Sequence, residues 1–219
     1  MIDQRTDGWH MQRAGKITAS RFSDAISMKL VGREPNKQLV STDARNTYMR
    51  EIVSAILSGS PKPEINSSSL QWGRDVEPFA REAYEFQTGN LVNESGFVSH
   101  KDHGFIGCSP DGLVGSFGGV EIKCPKDPQI HIKTMLEGMP ADHTGQVQGC
   151  MFVTGRDWWD FVSYDPRQRD GYRLYVQRIY RDDEYIKNLE RGLIDFWSYV
   201  QESLQKINVM YDKRKSELS

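Results

Sequence analysis

The chain has few cysteines, no long apolar run and almost no net charge, and each scarcity excludes a class of protein. Its 219 residues include only three cysteines. That odd number lacks metal-ligand spacing and suits a reducing cytosol better than a disulfide scaffold. The apolar runs are only a few residues long, too short to cross a bilayer. Asp3, Arg5 and Asp7 stand where a signal peptide would be apolar. We therefore expect no membrane span, no secretory signal and a cytoplasmic location.

The spacing of the histidines and the net charge bear on whether the protein binds zinc or nucleic acid. The five histidines show neither HxH nor HExxH spacing, so the sequence predicts no zinc site. His143 precedes Gln146 closely, whereas His100 and His103 flank a polar turn and are predicted to lie in a solvated loop. A net charge of −2 gives no global sign of nucleic-acid binding. The first fifty residues nevertheless hold nine Lys/Arg against five Asp/Glu, so charge neither supports nor excludes DNA as a partner.

Hydrophobic residues at 37% and charged residues at 26% are typical of a globular domain. We predict one domain over residues 1–219, with an N-terminal helical part of about 1–60 and a core of about 68–207. Polar residues at 59–63 and 66–69 separate the two. The helix patterns lie at 20–26, 42–57, 69–88, 128–153 with an interruption near Pro140, and from Asp182 onward. The strand patterns lie at 90–99, 105–106, 113–114, 120–123, 158–164 and 172–180. The predicted fold class is mixed α/β.

One short region carries most of the functional information. Ser109-Pro110-Asp111-Gly112 is a turn, and Glu121-Ile122-Lys123 follows it on an apolar strand. Strand alternation puts Glu121 and Lys123 on one face and points Ile122 into a core. Carboxylates supply the hard oxygen ligands that Mg²⁺ and Mn²⁺ prefer, and a lysine can orient or deprotonate an attacking water. The alternative interpretation is an ordinary hairpin with an exposed Glu–Lys pair.

Several blocks in order resemble one protein family. Two of them are Ser-Pro-Asp-Gly-Leu and Glu-Ile-Lys-Cys-Pro, given above. The first of the other four is Gly8-Trp9-His10 with Arg13 and residues 17–20, and the second is Leu70 with Trp72-Gly73 and Glu77. The third is residues 146–154, which begin at Gln146, and the fourth is Tyr164-Asp165-Pro166-Arg167. Together they resemble the phage lambda exonuclease family, the YqaJ-type viral recombinases of the PD-(D/E)xK nuclease superfamily. The resemblance implies a restriction-endonuclease-like core, a small mixed central sheet flanked by helices.

The resemblance also implies roles for individual residues. Asp111, Glu121 and the Ile122 carbonyl would bind metal, Glu77 would be a further acid near it, Lys123 would position the water, and Gln146 would line the site. Two Mg²⁺ ions per active site would serve phosphoryl transfer, with Mn²⁺ as a substitute. Pro78 directly follows Glu77, so we expect either a helix that restarts at Pro78 or a kink there. A Glu at an exposed helix boundary is the alternative for Glu77.

A second set of residues concerns the DNA end. Arg13, Ser20 and Ser109 resemble a pocket for a 5′-terminal phosphate, and Leu70 matches a residue that separates the two strands. Plain core packing is the alternative for Leu70, and a surface ion pair is the alternative for Arg13. Gln129 stands where the family usually has a basic residue, a place that Lys126 or Lys133 would have to fill.

The implied function is Mg²⁺-dependent 5′-to-3′ digestion of linear duplex DNA into mononucleotides, leaving a 3′ single-stranded tail. The implied partners are duplex DNA ends, a single-strand annealing protein and two further copies of the chain in a ring-shaped trimer. Phage or prophage origin is implied as well. Two alternatives stay open: an endonuclease of the same superfamily, and a non-catalytic DNA-end-binding protein.

Overall fold

The computed structural model describes residues 4–62 and 67–218 as seven α-helices, ten short strands and two 3-10 turns. The helices are α1 (Asp7–Arg13), α2 (Phe22–Ala25), α3 (Asp43–Ser58), α4 (Ser68–Thr88), α5 (Pro128–Glu137), α6 (Thr144–Thr154) and α7 (Asp183–Leu218). The strands are β1 (Ile17–Thr18), β2 (Met28–Val31), β3 (Gln38–Ser41), β4 (Val92–Asn93), β5 (Val98–Ser99), β6 (Ile106–Cys108), β7 (Gly112–Val114), β8 (Gly118–Lys123), β9 (Trp158–Tyr164) and β10 (Leu174–Tyr180). The 3-10 turns are Ala19–Arg21 and Ala141–His143.

The central sheet has five strands in the order β10-β9-β8-β7-β4. Strands β8 and β9 are parallel, and the other pairs are antiparallel. A smaller sheet has the order β1-β6-β5, with β1 parallel to β6. Strands β2 and β3 form a separate hairpin. The expectation of a small mixed sheet flanked by helices is therefore confirmed.

Alternation along β8 and β9 divides the apolar side chains between two faces of the sheet. Val120, Ile122 and Val162 face α4, whereas Trp159 and Phe161 pack with α6 and α7. Glu121 lies between Val120 and Ile122 and therefore points to the opposite face from Ile122, as predicted, which is the α6 face. This arrangement puts the active-site motif between the sheet and α6.

The terminal helix begins near Asp182, as predicted, and one of its faces is an apolar stripe. Asp182 caps it by accepting a hydrogen bond from the Tyr185 amide at 2.9 Å. Ile186, Leu189, Leu193 and Val200 are buried, and Trp197 and Leu204 pack against them. The stripe is therefore part of the hydrophobic core.

Several expected boundaries are wrong. Residues 90–99 do not form one strand, because β4 and β5 belong to different sheets. The sequence suggested a turn at Gly118 and Gly119 before the Glu-Ile-Lys strand, but these residues are not a turn. They are the first two residues of β8. The rings of Trp158 and Trp159 lie where their Cβ atoms would be, so both positions require glycine. The turn lies at residues 115–117, where Gly115 has a φ of +51°.

The restart expected at Pro78 and the solvated loop expected for His100 and His103 are also wrong. Helix α4 runs through Pro78 without a restart. His100 is buried and stacks on Phe152, and its Nδ1 accepts hydrogen bonds from the Asp102 and His103 amides. His103 pairs with Glu190 of α7 at 2.9 Å. These histidines anchor a loop to the core, a role that short sequence spacing does not reveal.

The three cysteines are thiols packed wholly or partly inside the fold. Cys108 and Cys150 are buried, Cys124 is partly buried, and all three are free. A hydrogen bond from the Cys150 thiol to Cys108 and burial together raise the pKa of Cys150. None of the helices in the described ranges is long and apolar enough to cross a membrane.

Candidate active site

Strands β7 and β8 bring the two predicted metal-binding carboxylates together. Asp111 precedes β7, which pairs with β8 through Gly112 and Val120. The Asp111 Oδ2 atom accepts a hydrogen bond from the Ile122 amide at 2.7 Å. This bond fixes the aspartate against the strand that carries Glu121. The turn and the strand therefore form one unit, as their sequence spacing suggested.

Glu121 is the most constrained side chain of the site. It is only 1% exposed, and its Oε1 accepts hydrogen bonds from Lys123 Nζ at 2.5 Å and from Gln146 Nε2 at 2.6 Å. Its Oε2 is buried and has no hydrogen-bond partner among the described residues. A buried, unsatisfied carboxylate oxygen is destabilising unless something binds it. Its chemistry fits a hard divalent cation.

The electrostatics of Asp111, Glu121 and Lys123 also favour a divalent cation as the ligand. Burial raises the pKa of Asp111, and the charges of Glu121 and Glu77 raise it further, while Lys123 and the Ile122 amide oppose them. Burial alone would lower the pKa of Lys123, but Glu121 and Asp111 together raise it above its usual value. The lysine is therefore held as a cation between two carboxylates, and a further cation would relieve their mutual repulsion.

Glu77 lies on α4 and is mostly buried, so the helix-boundary interpretation does not describe it. Arg5 Nη2 approaches its Oε2 at 2.5 Å, and Arg81 Nη2 its Oε1 at 3.4 Å. Across residues 4–62 and 67–218, no group of three or more His, Cys, Asp or Glu side chains is arranged to hold a metal. A cation would thus rely on Asp111, Glu121 and backbone or solvent oxygens, with Glu77 as a neighbouring charge.

Two of the three predicted phosphate-binding residues are in direct contact. Arg13 Nη1 donates to Ser109 Oγ at 2.7 Å, and Trp9 Nε1 donates to the same oxygen at 3.0 Å. The Arg13 guanidinium also stacks 4.3 Å from the Trp9 ring centroid. Because the Ser109 oxygen accepts twice, its own proton is available for another acceptor. The tryptophan was part of the matching sequence block, but sequence reasoning gave it no role.

Ser20 and Gln146 line a different cavity, together with His143. Ser20 is exposed on the 3-10 turn that precedes α2. The ring of His143 lies 5.1 Å from that of Phe161, and burial and the charge of Lys123 lower its pKa to about 4. His143 therefore approaches the site, as its position in the sequence suggested.

The remaining predicted residues lie on the surface around the site. Leu70 is half exposed in the first turn of α4, so it is not a core residue. Gln129 and Lys126 are exposed near the start of α5, and Lys133 is exposed on its outer face. Arg167 donates to the backbone carbonyls of Pro125 and Lys126. It thereby holds the loop after the Glu-Ile-Lys strand, a role that only the fold reveals.

A mixed sheet between helices, with an aspartate before one strand and Glu-x-Lys on the next, defines the PD-(D/E)xK class of fold. Residues 8–157 match the YqaJ-like viral recombinase domain. The chain belongs to this family.

Solved structures agree with that membership. The chain superposes on an alkaline exonuclease from Laribacter hongkongensis with a TM-score of 0.83 and 35% identity, over 98% of this chain and 100% of the other. The complex of that enzyme with dAMP gives a TM-score of 0.84 at 34% identity, with the same coverage. A phage-related exonuclease from Haemophilus somnus shares the fold, with a TM-score of 0.66 and 20% identity over 88% of this chain and 96% of the other.

An uncharacterized mimivirus protein, R354, is 26% identical over 209 residues. These cover 88% of this chain but only 35% of the viral protein, so the chain spans about a third of that relative's length.

Proposed function

We propose that this protein is a Mg²⁺-dependent exonuclease that digests the 5′-ended strand of linear duplex DNA. It releases mononucleotides and leaves a 3′ single-stranded tail. The observation that carries the proposal is the Glu121 carboxylate, which is buried beside Asp111 with one oxygen held by Lys123 and Gln146 and the other unsatisfied. A carboxylate kept in that state is suited to a divalent cation and has no evident structural use.

The relatives support the reaction class. The Laribacter protein is an alkaline exonuclease, 35% identical over nearly the whole of this chain, and it has been crystallised with dAMP. A deoxynucleoside monophosphate is the product expected when DNA is cut one nucleotide at a time. These facts support DNA as the substrate and the terminal phosphodiester as the point of cleavage.

Asp111, Glu121 and the Ile122 carbonyl would hold the cations, two per site, with Glu77 adding negative charge nearby. When bound, such ions polarise the phosphate and lower the pKa of water. Gln146 holds Glu121 in one orientation by donating to Oε1. Lys123, fixed on that same oxygen, keeps a positive charge and N–H donors at the position where an attacking water must be oriented.

The direction of digestion is proposed from the second cluster of residues. Arg13 and Ser109 supply a guanidinium and a hydroxyl proton, which suit a terminal phosphate. Ser109 is two residues from Asp111, so a phosphate bound there would lie close to the cations. Ser20, which lines a cavity with Gln146, would contact the same nucleotide, and Leu70 would meet the base pair at the duplex end. From the family resemblance we also propose that three copies of the chain form a ring and that the protein works with a single-strand annealing protein.

The deciding experiment uses end-labelled linear duplexes, with and without a 5′-phosphate, beside a closed circular plasmid in Mg²⁺. We expect loss of the 5′-phosphorylated strand and an untouched circle. Cutting of the circle would instead identify an endonuclease, and DNA binding with no hydrolysis would identify an end-binding protein.

The role of Lys123 is tested by Lys123→Ala, with Lys101→Ala as the matched control. Lys101 is an exposed lysine paired with Asp102 at 3.7 Å, away from the site. We expect Lys123→Ala to lower the cleavage rate by about 100-fold or more, while DNA binding and folding persist. Cleavage by this variant at the rate of Lys101→Ala would disprove the role assigned to Lys123.

A further inference from the structure

A second cavity lies next to the Arg13–Ser109 contact, and none of the proposed metal ligands lines it. It has a volume of about 360 Å³ and lies between α1, α3 and the first turn of α4. Arg13 belongs both to this cavity and to the proposed phosphate-binding cluster, and Leu70 forms part of its wall. The cavity therefore begins where the duplex end would be opened.

The lining combines apolar surface with an excess of positive charge. Ile52, Ala55, Pro61 and Leu70 contribute apolar atoms. Four cations, Arg13, Lys16, Arg21 and Lys62, stand against one carboxylate, Glu51, which gives a net charge of +3. The whole chain has a net charge of −2, so this excess is local. Apolar surface beside cations is the combination that binds the bases and phosphates of a single strand.

Glu51 organises two of these cations. Its Oε1 accepts from Lys62 Nζ at 2.7 Å, and its Oε2 accepts from Arg21 Nη1 at 3.0 Å. Burial would raise the pKa of Glu51, but Lys62 and Arg21 lower it overall, so the carboxylate is charged at neutral pH. Arg21 also pairs with Asp24, which lies outside the lining, so two carboxylates stand against four cations. An entering phosphate would compete with Glu51 for Lys62, which is more than half exposed.

We propose that this cavity binds an unpaired nucleotide of the 3′-ended strand, the strand that is not digested. Its phosphate would contact Lys62 and Lys16, and its base would lie against Leu70 and Ile52. The inference rests on the proposed function, because it needs a duplex end at Arg13 and Leu70. It goes further by giving the uncut strand its own binding site on the same chain.

The test measures binding without hydrolysis, by fluorescence anisotropy in EDTA. A blunt duplex is compared with the same duplex carrying a short 3′ overhang. We expect the wild-type protein to bind the overhang duplex about five- to tenfold more tightly. Lys62→Ala should remove most of this preference and reduce the slope of log K against log salt by about 0.7 on that duplex. Glu51→Gln should strengthen binding of the overhang, because it removes the competing charge.

Lys37→Ala is the matched control. Lys37 is also an exposed lysine with a 2.7 Å bond to a glutamate, Glu34, but it is not part of the cavity. Equal binding of the two duplexes by the wild-type protein, or the same behaviour of the Lys62 and Lys37 variants, would overturn the inference. A parallel digestion in Mg²⁺ separates the two proposals. Hydrolysis without an overhang preference refutes only this inference, whereas absent hydrolysis refutes the proposed function and leaves the binding result interpretable.

Discussion

Replacement of Glu121 by glutamine tests the proposed cation site through stability, independently of catalysis. The change keeps the shape of the side chain and removes its charge. In the cation-free protein the substitution then has two opposing effects on the free energy of unfolding. The variant loses the 2.5 Å contact with Lys123 as an ion pair, but it also relieves the repulsion that helps to raise the pKa of Asp111. We therefore expect the free energy of unfolding in EDTA to change by only about 1 kcal/mol.

The cation-dependent part of the stability should respond much more strongly. A ligand that binds only the folded state at 100 times its Kd stabilises it by about 2.7 kcal/mol, which raises Tm by about 5 to 10 °C in a domain of this size. We expect this rise for the wild-type protein in Mg²⁺ or Mn²⁺ and none for Glu121→Gln. Thermal unfolding with each metal and with EDTA measures both quantities.

Glu137→Gln is the control for this experiment. Glu137 is an exposed glutamate with a 3.8 Å contact to Lys133, so its variant should keep the full metal-dependent rise. If Glu121→Gln kept the same rise as Glu137→Gln, the unsatisfied Oε2 atom would not mark a cation site, and the reasoning from burial to metal binding would be wrong.

Three further predictions concern the scaffold. Arg178→Met should lower the free energy of unfolding by about 3 kcal/mol, because it leaves the buried Asp160 carboxylate without its cation. Arg173→Met is the control, and chemical denaturation should show that it loses less than about 1 kcal/mol of stability, because its partner Asp170 is exposed. Equal losses of stability in the two variants would contradict this reasoning. Burial and the charge of His103 lower the pKa of His100, so its stabilising effect is complete above the usual histidine pKa and is lost as pH falls below it. Tm from pH 7 to pH 5 should therefore fall less steeply for His100→Asn, and parallel curves would refute the assignment. Gly119→Ala should destabilise the fold, since its Cβ would lie 2.3 Å from the Trp159 ring; an unchanged Tm would show that the ring can move.

The sequence predicted the parts of the site that are local. Asp111, Glu121 and Lys123 could be placed because a turn and the two-residue period of a strand determine their geometry over a few residues. The terminal helix was predictable for the same reason, since its apolar stripe repeats over many turns. Regular periodicity over a long segment is the most informative pattern in a sequence.

What the sequence did not reveal depends on contacts between distant segments. The contact of Trp9 with Ser109 joins residues 100 positions apart, and the bonds of Arg167 to the loop after β8 span about forty. The roles of Gly118 and Gly119 depend on tryptophan rings of the neighbouring strand. Helix α1 and the hairpin of β2 and β3 were missed because they are short, and short segments contain too few residues for a period to appear.

The bond between Asp111 and the Ile122 amide has a consequence for how the site assembles. The aspartate accepts from the amide of the same residue whose carbonyl is proposed as a ligand, and Glu121 precedes that residue directly. The three proposed ligand groups thus belong to one short hairpin and need little of the remaining chain to become neighbours. Loop closure over so few residues is entropically cheap compared with joining distant segments. If the proposed sites are right, affinity for the cation should therefore withstand sequence change in the outer helices, whereas the proposed contacts with the DNA end, which draw on α1, α3 and α4, are free to vary between relatives.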